Sequence, residues 1–237
     1  MAEKRVRGPS RREVYETLRR QVVSLELPPG TPLSENELAA TMGVSRTPVR
    51  ESLILLSREG LVQVFPKVGS FVSRVDLRKV ADAQFVREAV EMSSLEDIPA
   101  EPDPAVVAEL NANLALQREA AHDIEGFFLL DEEFHHGLLR LGGHGDAWST
   151  VVSAKAHLDR ARRLGLHEGS SLASFTEQHA EVLDAVLAGD MDQARLLMRK
   201  HLRKVFEDIE RLWLRSPELF ASDPDAIPFR RSVAVWR

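Results

Sequence analysis

The sequence contains no cysteine, and this absence excludes disulfide bonds and metal sites built from thiolates. It also lacks any apolar run long enough to span a membrane. Residues 1–12 are charged and have no apolar core, so no secretory signal peptide is recognised there. We therefore expect a cytoplasmic protein with no membrane partner. At 237 residues, the chain is long enough for one small and one larger domain.

Charge is distributed unevenly along the chain. The net charge is −6, yet residues 1–75 contain 12 Lys and Arg against 8 Asp and Glu. The remaining residues contain 19 Lys and Arg against 29 Asp and Glu. Because proteins bind duplex DNA mainly by neutralising phosphates, the basic end is the one expected to meet DNA. The acidic remainder is expected to stand away from the duplex.

Residues 33–73 follow the order of a winged helix-turn-helix, which is a helix, a tight turn, a second helix and a β-hairpin. Ser34 can cap the first helix, with Glu37 three residues later in capping-box position. Gly43 ends that helix, and Ser45 can cap the next one. The apolar residues expected to form the buried stripe of the second helix are Val49, Leu53, Ile54 and Leu56.

The second helix of this motif carries the side chains expected to read DNA. Arg46 and Arg50 are four residues apart, so one helical turn directs both guanidinium groups the same way. A guanidinium group can bind guanine bidentately in the major groove. Thr47 suits a phosphate or a thymine methyl group. Duplex DNA is therefore the predicted partner of this segment.

A β-hairpin follows as the wing of the motif. Strands are predicted over residues 61–65 and 71–74, around a turn that holds Lys67 and Gly69. A cation and a glycine backbone at the tip suit close approach to a phosphate or to the minor groove. The alternative is an ordinary helical hairpin with surface arginines, which does not account for the whole ordered pattern.

Two runs of residues make the resemblance to a known family specific. Residues 28–35 read Pro-Pro-Gly-Thr-Pro-Leu-Ser-Glu, and residues 43–51 read Gly-Val-Ser-Arg-Thr-Pro-Val-Arg-Glu. These runs resemble the amino-terminal domain of GntR-family transcriptional regulators. The family usually has an arginine where this chain has Asn36, whose amide can still bond a base or a phosphate. The residues then expected to contact DNA are Asn36, Ser45, Arg46, Thr47, Arg50, Lys67 and Gly69.

Beyond the wing, the apolar spacing is helical and no alternating strand pattern is present. Helices are predicted near residues 77–97, 104–121, 124–141, 147–165, 170–188 and 191–214, and one more precedes the motif at residues 11–27. The predicted fold class is mainly α, with an amino-terminal winged helix-turn-helix (residues 1–75), an all-α helical bundle (residues 76–215) and a tail (residues 216–237). Whether the tail packs on the bundle or on a partner subunit is left open.

A candidate metal site lies in the helical domain. Asp131 and His135 are four residues apart, so they share one helix face and can chelate one ion together. His179 and His201, each among apolar helical neighbours, are two further candidates. One carboxylate and three imidazoles would suit zinc, nickel or manganese, and an octahedral ion would keep open positions for an anionic ligand. The alternative is that these histidines are ordinary core residues.

The helical domain resembles the FCD type of effector domain, which often follows GntR DNA-binding domains. The resemblance rests on residues 178–186 (Gln-His-Ala-Glu-Val-Leu-Asp-Ala-Val), residues 188–190 (Ala-Gly-Asp) and residues 198–202 (Met-Arg-Lys-His-Leu). The metal ligands of that family are one aspartate and three histidines. The resemblance therefore implies a divalent transition metal, zinc in the first place, bound by Asp131, His135, His179 and His201.

The same resemblance implies where an effector would bind. FCD domains often have an Arg-x-x-x-Glu pair in the first effector helix, matched here by Arg87 and Glu91, and that arginine commonly meets the effector's carboxylate. Arg160 and Arg163 are further effector-binding candidates, because several cations around one cavity select carboxylated or phosphorylated molecules. They could equally be solvated or bonded to Asp159.

Together these features predict a metabolite-responsive transcriptional regulator. It would bind a palindromic operator as a homodimer, because dimerisation doubles the base-reading surface. A small organic or sugar acid would bind the metal and Arg87 and favour one arrangement of the two DNA-binding heads. The family resemblance implies a repressor that the effector releases from DNA.

Two alternatives remain open. In the first, the metal ion itself is the signal. The second is a metal-dependent hydrolase, for which Glu132 or Glu133 would have to serve as general base. A hydrolase would leave the DNA-reading end unexplained, so we do not expect an enzyme.

Overall fold

The computed structural model describes residues 9–167 and 171–221. Within these ranges the chain forms two compact units, the first from residues up to Asp76 together with residues from Glu218 onward, the second from Leu77–Pro217. Residue 170, where a helix was predicted to begin, and the tail beyond residue 221 lie outside the described residues. No helix within the described ranges is long and apolar enough to cross a membrane.

The first unit combines helices with a small antiparallel sheet. Its elements in chain order are α1 (Arg11–Val23), β1 (Pro32–Leu33), α2 (Glu35–Met42), α3 (Arg46–Glu59), β2 (Val62–Phe65) and β3 (Gly69–Val72). Strand β3 lies between the other two, and its Phe71 is opposite Pro32 in β1 and Gln63 in β2. Strand β1 was not predicted. Helix α1 ends before residue 27 because Leu25 adopts a left-handed φ of +65°.

The turn between α2 and α3 forms from the residues expected to start and end these helices. Ser34 Oγ accepts a hydrogen bond of 3.4 Å from the backbone N–H of Glu37 at the start of α2. Gly43 ends α2 with a φ of +65°, which glycine adopts without steric cost. Ser45 is the N-cap residue of α3, as predicted, but its side chain makes no capping hydrogen bond.

The buried face of α3 is narrower than the sequence suggested. Val49, Leu53 and Leu56 recur at helical spacing and are buried, as predicted. Ile54 is 46% exposed, so its place in the buried stripe was wrong. The reason is geometric, because consecutive residues lie about 100° apart around a helix and Ile54 follows the buried Leu53.

The second unit is helical throughout the part that the structure describes. Its helices are α4 (Leu77–Glu96), α5 (Pro104–Glu119), α6 (Ile124–Leu141), α7 (Trp148–Ala154), α8 (Ala156–His167), α9 (Leu172–Leu187) and α10 (Met191–Arg215). The single helix predicted over residues 147–165 is therefore divided at Lys155. The buried ammonium group of Lys155 bonds Asp159 at 2.6 Å and also contacts Glu132.

An apolar core holds five of these helices together around the region described below. It contains side chains from α4, α5, α6, α9 and α10. Among them are Leu95, Phe134, Leu138, Val182, Leu183, Met198 and Leu202. Such interdigitated cores fix helix positions closely, so polar side chains that point inward are held in defined places.

The last described residues return to the first unit. Phe220 is buried and forms a parallel bridge with Val75. The backbone N–H of Val75 donates to Leu219 O, and that of Ala221 donates to Val75 O, each at 2.9 Å. Residues 219–221 of the predicted tail therefore pair with the backbone of Val75 in the first unit.

Candidate DNA interface and metal centre

The first turns of α3 present the basic side chains expected to read DNA. Arg46, Thr47 and Arg50 are exposed, and each arginine side chain is 59% accessible. Asn36 near the start of α2 and Ser45 just before α3 are also exposed. The structure therefore gathers these polar side chains at the N-terminal ends of two helices that contact each other.

Glu35, which was not anticipated from the sequence, lies between the two arginines. Arg46 Nη2 donates to Glu35 Oε2 at 3.1 Å. Arg50 donates to the same carboxylate through Nε at 3.0 Å and Nη2 at 2.9 Å. The hydrogen bonds from Arg50 and then from Arg46 lower the pKa of the Glu35 carboxyl group. An ionised carboxylate therefore holds both guanidinium groups.

The hairpin between β2 and β3 presents Lys67 and Gly69 at its exposed tip. The backbone N–H of Val68 donates to Phe65 O at 3.1 Å and closes the turn. Lys67 adopts a φ of +65° and Gly69 a φ of +142°. The second angle is one that side chains with a Cβ rarely adopt, so glycine is required for this tip.

In the second unit, four buried side chains from three helices meet at one place. Asp131 and His135 lie on α6, His179 on α9 and His201 on α10, and one ligand atom of each lies within 4.8 Å of the others. His201 Nε2 is 3.1 Å from both His135 Nε2 and His179 Nε2. Asp131 Oδ1 is 3.5 Å from His179 Nε2 and 3.9 Å from His135 Nε2. We call this group the Asp/His cluster.

Each imidazole of the Asp/His cluster is oriented by an oxygen atom at its other nitrogen. The Nδ1 to oxygen distances are 2.7 Å for His135 and Glu91, 2.8 Å for His179 and Gln117, and 3.1 Å for His201 and Gln178. The amide of Gln117 is assigned this way round because its Nε2 donates to Asn113 Oδ1 at 2.7 Å. Since these oxygens accept, each Nδ1 carries the proton and the three Nε2 lone pairs face one another.

This arrangement fits a divalent metal ion. Nitrogen lone pairs that face one another repel unless a cation lies between them, and nitrogens bound at ~2.1 Å to one ion lie about 3.0–3.4 Å apart. Within the described residues, Asp131 Oδ1 is buried without a hydrogen-bond partner, whereas buried polar atoms normally have one. A metal ion would satisfy that oxygen and the three nitrogens together.

The protonation states of the cluster also suit metal binding. Burial lowers the pKa of His179 to about 3 and that of His201 well below its usual value. Burial alone would raise the pKa of Asp131, but the positive charge of Arg162 lowers it well below its usual range. Neutral imidazoles and an ionised carboxylate are the forms that coordinate metals.

Arg87 lies on a small cavity beside the Asp/His cluster. Its Nε donates to Glu91 Oε1 at 2.6 Å, and its Nη2 has no hydrogen-bond partner in the described parts of the chain. His201 lines the same cavity, which measures about 20 Å³. That volume holds roughly one water molecule, so a larger ligand requires the surrounding side chains to move.

The other two predicted effector-binding arginines, Arg160 and Arg163, do not line this cavity, whereas Arg162 does. Arg160 is fully buried and Arg163 pairs with Glu125 at 2.7 Å, and neither lines the cavity beside Arg87. Arg162, which was not anticipated, lines that cavity and donates through Nη2 to Asp131 Oδ2 at 2.7 Å. Arginines that are adjacent in a helix point about 100° apart, so the sequence does not show which one faces the cluster.

Each of the two units of the fold matches a known protein family. Residues 10–72 match the bacterial regulatory proteins of the gntR family, and residues 82–204 match the FCD domain. The chain belongs to the GntR family. It is 64% identical over 227 residues to an HTH-type transcriptional regulator in an unstable DNA locus of Streptomyces ambofaciens, and the match covers 96% of each protein.

More distant GntR-type relatives include repressors. The chain is 31% identical over 217 residues to the HTH-type transcriptional repressor RspR of Escherichia coli (strain K12), covering 91% of this chain and 95% of that protein. A GntR transcriptional regulator from Rhodococcus sp. RHA1 has a similar structure, with a TM-score of 0.64 at 25% identity over 87% of this chain and 98% of that one.

These matches confirm the predicted winged helix-turn-helix followed by an all-helical FCD domain. The protein is a DNA-binding transcriptional regulator of the GntR family, and it is not an enzyme, so the hydrolase alternative is set aside. FCD domains commonly bind metal ions, in agreement with the buried Asp/His cluster.

Proposed function

We propose that this GntR-family protein is a repressor whose operator affinity is controlled by a small carboxylic or sugar acid bound at a metal in the FCD domain. The observation that carries the proposal is the convergence of three imidazole Nε2 atoms and Asp131 Oδ1 next to a cavity lined by Arg87. When bound, the ion supplies positive charge and open coordination positions for an anion. Zinc is the preferred metal, with nickel or manganese as alternatives.

Two arginines would hold the acid at this site. Arg87 offers an Nη2 without a hydrogen-bond partner in the described ranges, and Arg162 lines the same cavity while it bonds Asp131. Their places on the cavity make them better candidates than Arg160 or Arg163. Arginine pairs with a carboxylate through two parallel hydrogen bonds, which favours acids over neutral molecules.

Effector binding would be coupled to a rearrangement of the helical domain. A cavity of about 20 Å³ cannot hold an organic acid unless residues on α8 or α10 move. A ligand that binds one arrangement of these helices more tightly shifts the population towards it. In a homodimer, such a shift would alter the spacing of the two DNA-binding heads and therefore the operator affinity.

On the DNA side, the proposal assigns base and phosphate contacts to the exposed residues of the first unit. Arg46 and Arg50 would contact base edges, as their exposure on the first turns of α3 supports. The hairpin tip would meet phosphate or the minor groove. The supporting contacts are assigned to Asn36, Ser45, Thr47, Lys67 and Gly69.

The experiment compares two adjacent histidines. His135→Ala removes a residue of the Asp/His cluster, whereas His136→Ala removes a side chain that stacks on Trp148 at a ring distance of 6.0 Å. We expect only His135→Ala to lose bound zinc and the response of operator binding to acids, measured by elemental analysis and fluorescence anisotropy. Equal metal content and equal acid response in both variants would contradict the proposal.

A second candidate is a regulator that responds to the metal alone. The small volume of the cavity supports it, because the cluster could accept an ion without any opening of the cavity. In the same anisotropy assay, operator affinity that changes with zinc concentration in the absence of any acid would favour this candidate.

A further inference from the structure

Glu35 holds both arginines that the proposed function assigns to base reading. Arg46 and Arg50 are on α3, and Glu35 is the first residue of α2, so the contact joins the two helices of the helix-turn-helix. The carboxylate side chain is 25% exposed, whereas each arginine side chain is 59% exposed. The Glu35 carboxylate is therefore largely shielded from solvent, while the guanidinium ends of both arginines are exposed.

The hydrogen bonds use one edge of the Arg50 guanidinium group. Glu35 accepts from Nε and Nη2 of Arg50, at 3.0 and 2.9 Å. The edge formed by Nη1 and the second hydrogen of Nη2 is not used by Glu35. A guanidinium group needs just one such edge to bind guanine O6 and N7 bidentately. Glu35 can therefore remain bonded to Arg50 while Arg50 reads a base.

Glu35 also changes the charge that this surface offers to DNA. Two arginines and one carboxylate have a net charge of about +1 rather than +2, which weakens attraction to phosphates of any sequence. Glu35 lies in the first turn of α2, where the helix dipole favours a negative charge. The helix dipole therefore acts in the same direction as the two arginines, which keep the carboxylate ionised.

We infer that Glu35 is a positioning residue for DNA specificity, which orients Arg46 and Arg50 towards base edges and reduces their binding to phosphates of unrelated DNA. This inference rests on the proposed reading of DNA by these two arginines. It predicts that removal of the carboxylate increases affinity for unrelated DNA and decreases discrimination between sequences.

The expected change in DNA affinity follows from counterion release. One additional phosphate-directed charge makes the slope of log K against log salt steeper by about 0.9, which is an increase of about eightfold in affinity at 0.1 M salt. Loss of orientation should reduce base discrimination by roughly tenfold, the lower part of the range for one bidentate pair. The ratio of specific to non-specific affinity should therefore fall by roughly tenfold.

Three variants of the full-length protein separate orientation from charge. Glu35→Gln removes the charge, and Glu35→Asp keeps it on a side chain one methylene shorter. Glu51→Gln is the matched control, because Glu51 pairs with Arg11 at 3.1 Å on the same unit. Affinities are measured by fluorescence anisotropy from 50 to 200 mM salt, on a duplex selected by the wild-type protein from a random library and on a scrambled duplex of equal composition.

We expect Glu35→Gln to bind the scrambled duplex about eightfold more tightly and to lose roughly tenfold in the affinity ratio. Glu35→Asp should lower the ratio without a steeper salt slope, while Glu51→Gln should leave the ratio unchanged. A ratio in both Glu35 variants equal to that of Glu51→Gln would overturn the inference. Arg46→Ala and Arg50→Ala separate the two claims, because an unchanged ratio in these variants would instead refute the reading of DNA by the arginines.

Discussion

The substitution Gln117→Met tests whether the histidine orientations make the Asp/His cluster a metal site. Gln117 is buried, and its Oε1 accepts the hydrogen bond from His179 Nδ1 at 2.8 Å. Methionine has a similar size but cannot fill this role, so His179 loses the partner that fixes its tautomer. Loss of such an outer partner reduces metal affinity by about 10-fold to 100-fold, or about 1.4–2.7 kcal/mol.

Competition with a chromophoric zinc chelator measures this affinity directly, and thermal unfolding with and without zinc gives an independent value. Metal binding stabilises the folded state by its own free energy, so the zinc-dependent rise in Tm should shrink by roughly 3–10 °C. Gln117→Met also removes the hydrogen bond to Asn113. Loss of that bond lowers Tm equally with and without zinc, so it does not affect the zinc-dependent rise in Tm.

Two further variants make the test specific. Gln117→Glu keeps an acceptor and adds a negative charge, so it should bind zinc at least as tightly as the wild type. Gln193→Met changes an exposed glutamine in the first turn of α10 and should leave zinc affinity unaltered. Wild-type zinc affinity in Gln117→Met would refute the argument that Gln117 orients His179 for a metal.

Three other outcomes follow from the second unit. Gly142→Ala should lower the free energy of unfolding by about 1–3 kcal/mol, because the added Cβ would overlap the backbone oxygen of Ser94 and lie 2.6 Å from its Oγ. Urea unfolding measures this change, and a urea midpoint equal to that of the wild type would contradict the close packing at Gly142. Metal-free protein should lose stability as pH falls from about 6.5 towards 3, because burial keeps the folded-state pKa of His179 at about 3 and the unfolded chain takes up the proton first. Thermal melts between pH 6.5 and pH 3 test this prediction, and a melting temperature that rises on acidification would refute it. Arg87→Met should abolish release of operator DNA by acids while zinc binding persists, and anisotropy with an unchanged acid response would exclude Arg87 from effector binding.

The parts of the fold with strong local signals were predictable from the sequence. Ser34 and Gly43 mark the ends of α2 through capping and a left-handed φ, which depend on a few neighbouring residues. The spacing of Asp131 and His135 placed both on one helix face. Such features need no knowledge of the rest of the chain.

Other features depend on contacts between distant segments, which one sequence does not display. His179 and His201 were candidates from the sequence, but the resemblance to FCD domains was needed to join them to Asp131 and His135 in one ligand set, because no local spacing relates α9 and α10 to α6. The choice among Arg160, Arg162 and Arg163 depends on the rotation of α8 against its neighbours. The role of Glu35 depends on how α2 packs on α3.

The most direct test of the whole account is operator affinity under four conditions, with zinc or with a chelator, each with and without a saturating acid from a panel of carboxylic and sugar acids. Operator affinity should fall at least tenfold when zinc and one acid are both present, and it should change little with either alone, because the acid needs the ion to bind. An acid that releases DNA equally in the chelated sample would contradict the central role of the metal site.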